Sequence, residues 1–168
     1  AASEEGRAFA MRNADFLFTP VFDFDQAKAT VDEISQKSAS VGRDVNVLTF
    51  CTVVCRPTQQ EAEDYLHWYA NENADWDAVD NLMTLQGMHA QSFTKEALSM
   101  FRDRFAAGHG GFPLVGTPDH IADQLERLSE TGVAGTTLSF VDYAKEFPYF
   151  RQEVLPRLEA KGLRQTVS

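Results

Sequence analysis

Apolar positions along this chain switch between two spacings, and each switch marks an element. Ala8, Phe9, Ala10, Met11 and Ala14 form an apolar helical stretch behind Ser3, Glu4 and Glu5. A hydroxyl followed by two carboxylates is a helix start, because the hydroxyl caps free N–H groups and the carboxylates face the positive end of the dipole. Ala14 to Phe18 then turns strand-like, ending at Thr19-Pro20. A helix is expected next, with Asp23 or Asp25 as cap, Ala27, Val31 and Ile34 on one face and Gly42 as the stop. The run "VNVLTFCTVV" is almost continuously β-branched or apolar. That is the pattern of a parallel strand buried on both faces.

A further helix opens at Pro57-Thr58, where Thr58 and Glu61 have capping-box spacing and Ala62, Tyr65, Leu66 and Tyr69 make a stripe. Residues 71–111 break the rhythm, with helical patches at Leu82 to Met88 and Glu96 to Phe105 and no strand. They read as a helical insertion within a single unit spanning 1–168. Alternation resumes at "GTPDHIADQLERLSETG": Thr117 caps, Pro118 takes the first helical position, Ile121, Leu125 and Leu128 face inward, and Gly132 ends the helix. "GTTLSFV" predicts the last strand and "FPYFRQEVLPRLEAKGLR" the last helix, interrupted at Pro156.

Strands alternating with helices imply an α/β fold with a parallel sheet. Three strands cannot close into a barrel and make a poor open sheet. The helix start at Ser3, with no strand to deliver the chain there, leads to the expectation that the rest of a larger (β/α) structure lies upstream.

Composition narrows the function. The 168 residues are 43% hydrophobic, enough for one core, and 25 Asp and Glu against 15 Lys and Arg give a formal charge of −10. Such a chain repels nucleic acid and anionic lipid, so neither is expected as a partner. With neither a spanning segment nor a signal sequence in view, the expected compartment is the cytoplasm. An anion site built from backbone N–H groups stays open to an acidic protein. Cys51 and Cys55, four apart in one strand, face the same side and read as buried thiols rather than a disulfide or redox pair. No His or Cys group has metal-ligand spacing.

Three stretches, Ser3 to Pro20, Pro113 to Leu125 and Gly135 to Leu158, resemble in order the C-terminal half of luciferase-like flavin monooxygenases, in the branch that includes pyrimidine and sulfone monooxygenases. The resemblance implies half of a (β/α)8 TIM barrel, with the helical insertion before the last βα unit. It implies that Ser3 binds the FMN phosphate through its hydroxyl and N–H, with the Ala2 amide adjacent and Gly6 letting the phosphate approach. Helix N-termini suit such an anion independently. It implies, further, a reaction of reduced FMN, supplied by a separate flavin reductase, and O2 with a small organic substrate, in a homo-oligomer. The family's ring-binding residues come mostly from strands absent here, so no catalytic residue is assigned.

Active sites of these barrels lie at the C-terminal strand ends. This makes Phe140 and Tyr143, beside Ser139 and Asp142, candidates for lining the pocket, against a reading in which they pack the last helix. His109, among Gly108, Gly110 and Gly111, is a candidate on a lid, against a glycine loop without chemistry. His67, His89 and His120 read as surface or packing residues. Two rival functions share the fold: a deazaflavin-dependent oxidoreductase, and a non-catalytic flavin-binding barrel or partner subunit.

Overall fold

The computed structural model describes residues 4–88 and 94–165. In chain order the elements are α1 (Glu4–Asn13), β1 (Phe16–Phe18), α2 (Phe24–Ala39), β2 (Asn46–Cys55), α3 (Gln59–His67) continuing into a π-helical turn (Trp68–Glu72), α4 (Trp76–Leu85), α5 (Lys95–Gly108), β3 (Phe112–Gly116), α6 (Pro118–Glu130), β4 (Gly135–Ser139), α7 (Tyr143–Glu153) and α8 (Leu155–Ala160). The caps follow local chemistry. Asp23 accepts from the Gln26 N–H, Thr58 and Glu61 close a reciprocal capping box, and Thr117 caps α6 with Pro118 behind it. The last helical stretch breaks at Val154, because Pro156 in the first turn of α8 has no N–H to continue the α7 ladder.

All four strands are parallel, and β2 is their hub. Leu48 partners both Phe18 and Gly135, while Cys51 partners both Phe112 and Leu138. Hence β4 takes one edge of β2, and β1 and β3 share the other, β3 filling the length that the short β1 leaves. The strand β3 is a correction to the three-strand expectation. Its five residues, FPLVG, are too few and too proline-marked to read as a strand until Thr52 to Cys55 supply the ladder. In the helical block α4 starts at Trp76, capped by Asp75.

The two sheet faces differ. Cys51, Val53 and Cys55 of β2 point into the main core with Ile121, Ala122 and Leu128 of α6, Phe150 of α7 and Leu158 of α8. Val45 and Val47 continue that face beneath Ile34 and Met11. Residues one step out of phase face the other way. There Phe18 stacks on Phe50 at 5.8 Å with 19° between the rings, and Phe16 and Phe18 are 55% and 44% exposed. Toward the C-terminal end of that second face the end of α5 is seated, since Thr52 donates to the Gly108 carbonyl at 3.1 Å. Both cysteines are buried free thiols.

Candidate functional site

Functional groups of parallel α/β sheets collect where strands end and helices begin. At the end of β2 the chain passes from buried Cys55 to Arg56, whose guanidinium donates to the Cys55 carbonyl at 2.8 Å and to Glu146 Oε1 at 2.6 Å. Glu146, 8% exposed on the first turns of α7, accepts with Oε2 from the Val141 and Asp142 N–H groups at 3.1 and 3.2 Å. One carboxylate thus ties the turn after β4 to the turn after β2. Arg56 also lies 3.9 Å over the Tyr65 ring. Burial and the neighbouring Glu146 charge push the Tyr65 phenol up, and burial pushes the Cys55 thiol up to about 11.

The π-helical turn at Trp68–Glu72 re-aims two aromatic residues. Tyr69 goes inward, donating to the Ala107 carbonyl at 2.9 Å, while Trp68 stays 51% exposed and near-parallel to Tyr65 at 5.8 Å. A π turn inserts one residue per turn, so neighbouring side chains leave the face that the α-helix set for them. Between these elements opens a cleft of about 570 Å³ lined by Tyr65, Trp68, Tyr149, Pro57 and Val141 over the Arg56–Glu146 pair. On the opposite side of the sheet end, α4 and α5 form a hydrophobic pair through Val79, Met83, Phe101 and Phe105. Phe101 meets the Phe22 ring edge-on at 4.9 Å, and Arg104 donates to the Phe22 carbonyl at 2.7 Å. The helical block therefore lies across the segment leaving β1.

Of the expected site residues, the structure brings Phe140 and Tyr143 together. Ala2, Ser3 and His89 lie outside the described residues. Gly6 is half-buried in the first turns of α1, behind exposed Glu4 and Glu5. Phe140 is 8% exposed and makes edge-on contacts with Tyr143, Phe147 and Phe150, so its ring packs α7 onto the core. Tyr143 is 56% exposed and its hydroxyl donates to the Leu138 carbonyl at 3.4 Å. His109 ends α5 in the left-handed conformation, φ 55°, beside the Phe105 ring at 5.4 Å. The glycines around it serve close packing: a Cβ on Gly108 would sit 2.6 Å from Thr52 Cγ2, and one on Gly111 2.7 Å from Thr52 Oγ1. His67 and His120 are exposed.

Sequence reasoning missed Arg56, Glu146 and Trp68 as a group. The signal for Arg56 was a lone charge between a buried strand and Pro57. Nothing local marked Glu146.

A family model described as luciferase-like monooxygenase matches residues 1–135. The FMNH2-dependent dimethylsulfone monooxygenase of Pseudomonas fluorescens (strain Pf0-1) is 31% identical over 174 residues, covering 96% of this chain and 46% of that protein. The dimethyl-sulfide monooxygenase of Hyphomicrobium sulfonivorans is 27% identical over 197 residues, covering 98% of this chain and 41% of its own. The crystal structure of DmoA from Hyphomicrobium sulfonivorans shares the fold with a TM-score of 0.82 at 22% identity, over 100% of this chain and 42% of that one. The chain spans less than half the length of these curated relatives. Among the described residues no helix is long and apolar enough to cross a membrane. With a family model aligned along most of its length and a relative 31% identical over 96% of it, the chain belongs to the luciferase-like monooxygenase family.

Proposed function

We propose that this chain is the C-terminal half of a (β/α)8 barrel whose whole is an FMN-dependent monooxygenase, with residues 71–111 as a helical insertion that precedes β3–α6 and the last βα unit, β4–α7. The reading is carried by the second face of the sheet, where Phe18 and Phe50 lie parallel and partly open. Among the described residues β1 and β4 each pair along one edge only, which suits a sheet continued by further strands. A flat apolar wall next to strand ends and beneath a helical cover suits a planar cofactor ring and a small, uncharged substrate. The relatives' names supply the substrate class, a small sulfone or sulfide.

The first turn of α1 would take the FMN phosphate, through Ser3, the Ala2 amide and Gly6. A helix start offers donors and a positive dipole end, and the half-buried Gly6 carries no Cβ to obstruct an approach. Bound reduced flavin, delivered by a separate reductase, would supply the oxygen-activating chemistry. The chain's own share is to anchor the phosphate, to offer the Phe18–Phe50 wall and to exclude water with α4 and α5. His109 and Tyr143 stand as candidates at the rim, and Phe140 as support for it. The assembly is a homo-oligomer, and the compartment the cytoplasm.

The test compares FMN with riboflavin, which lacks the phosphate. FMN is expected to bind more tightly, by roughly tenfold or more for a charge-assisted anchor, with Ser3→Ala narrowing the gap. Equal binding of the two flavins removes the phosphate seat. Joined to the N-terminal portion of the Pseudomonas fluorescens relative and fed by a flavin reductase, the chain is expected to consume O2 and dimethylsulfone together. Oxygen uptake indifferent to every sulfone and sulfide favours the partner-subunit reading, and binding of a deazaflavin in place of FMN favours the oxidoreductase one.

A further inference from the structure

The cleft at the ends of β2 and β4 lies on the helix-covered side of the sheet, since Cys55 and Tyr149, which line it, also pack against the main core. It is therefore separate from the Phe18–Phe50 wall. We propose that it is a second binding site, for a small, neutral, planar aromatic molecule.

Three features carry this. Its size, about 570 Å³, falls in the range of small-molecule sites. Its walls are rings: Tyr65, Trp68 and Tyr149, with Pro57 and Val141 completing an apolar surround. Trp68 and Val141 are 51% and 48% exposed, the kind of open apolar surface that a ligand would cover.

The charges at the cleft select the ligand's own charge. Arg56 is bonded to Glu146 and Lys145 to Asp142 at 3.0 Å, so the four ionic groups cancel in two pairs. At the buried Arg56–Glu146 pair neither an anion nor a cation gains a free counter-charge, and Lys145, 86% exposed, keeps its charge in solvent. A neutral ring gains stacking on Trp68 and breaks neither pair. Because Glu146 is bonded through both oxygens and Tyr65 is held by Arg56 and Trp68, the cleft is preorganised.

The full chain carries two tryptophans, so Trp76→Phe leaves Trp68 as the sole indole. Coumarin, neutral and planar, is the probe, and cyclohexanone is the non-aromatic control. Coumarin is expected to quench Trp68 emission saturably, and to shift the amide resonances of Arg56, Tyr65, Lys145 and Glu146 with the same midpoint. Trp68→Leu, read by the amide shifts, is expected to weaken binding roughly tenfold, the loss of one good ring stack. Tyr149→Leu, at the third ring of the cleft, repeats the measurement should Trp68→Leu unfold. Quenching without saturation, an equal response to cyclohexanone, or shifts confined to Phe18, Phe50 and Thr137, the β4 residue paired with Phe50, overturns the proposal. The last outcome would leave the flavin reading standing.

Discussion

Arg56 and Glu146 stand 90 positions apart in the chain and meet at 2.6 Å, the carboxylate bridging the ends of β2 and β4. Both oxygens of Glu146 are engaged, by the guanidinium on one side and by the Val141 and Asp142 N–H groups on the other. The pair holds two turns of the strand-end surface in register with each other.

Removing that carboxylate leaves a partly buried guanidinium without its counter-charge and two backbone donors without an acceptor. Glu146→Ala is expected to cost about 3 kcal/mol, the low end for breaking a buried pair because Arg56 keeps 22% of its side chain exposed. Glu146→Gln keeps an oxygen that can accept from the two N–H groups and should cost less. Urea unfolding of the two variants measures the difference; equal losses would mean that the two N–H bonds to the side-chain oxygen add no stability.

Gly108 abuts Thr52, so a methyl group there has nowhere to go. Gly108→Ala is expected to destabilise by about 1 to 3 kcal/mol through overpacking, although alanine is the better helix former. Combining it with Thr52→Ala should recover part of the loss, because the clashing Cγ2 and Oγ1 atoms are gone. Thermal unfolding of the two single variants and the double variant reads the coupling. Full additivity would show that the α5 end does not rest on Thr52.

The left-handed His109 carries a backbone strain that glycine would not. His109→Gly is expected to stabilise the fold by up to about 1 kcal/mol, with Gly110 already at φ 82° beyond it. If the imidazole instead serves the site, the same variant should lower sulfone-dependent oxygen uptake in the completed barrel. Melting temperature and turnover measured on one preparation separate a helix cap from a functional lid residue.

Burial pushes both thiols, Cys51 and Cys55, up to about 11 from an ordinary 9.0. A folded-state value above the unfolded one means stability that is whole below pH 9 and declines as pH rises through 9 to 11, where only the unfolded chain sheds its protons. Unfolding midpoints should fall across that window and fall less in Cys51→Ala/Cys55→Ala. At pH 8 a thiol-specific disulfide reagent should label neither cysteine until denaturant is added. Rapid labelling of the native chain would contradict the burial.

Local chemistry was enough to read most elements. Cap residues such as Thr58 and Thr117, the stop at Gly42 and the continuous apolar run of β2 act over a few neighbouring residues, and so they show in the sequence. The buried thiols were legible for the same reason. The family too was readable from three ordered stretches, because they repeat local patterns. Strand β3 was not, since a proline-marked pentapeptide becomes a strand only when β2 offers its free edge.

Of the site, the sequence pointed to residues by type and position, while the tertiary structure assigned their surroundings. Phe140 became packing because Phe150, ten residues on, meets its ring in the core. His109 ends α5 where Thr52 claims the glycines beside it. Arg56, Glu146, Tyr65 and Trp68 form one cleft only because parallel strands bring distant turns to the same edge of the sheet. Their meeting is a long-range property of the chain path, and no window of neighbouring residues carries it.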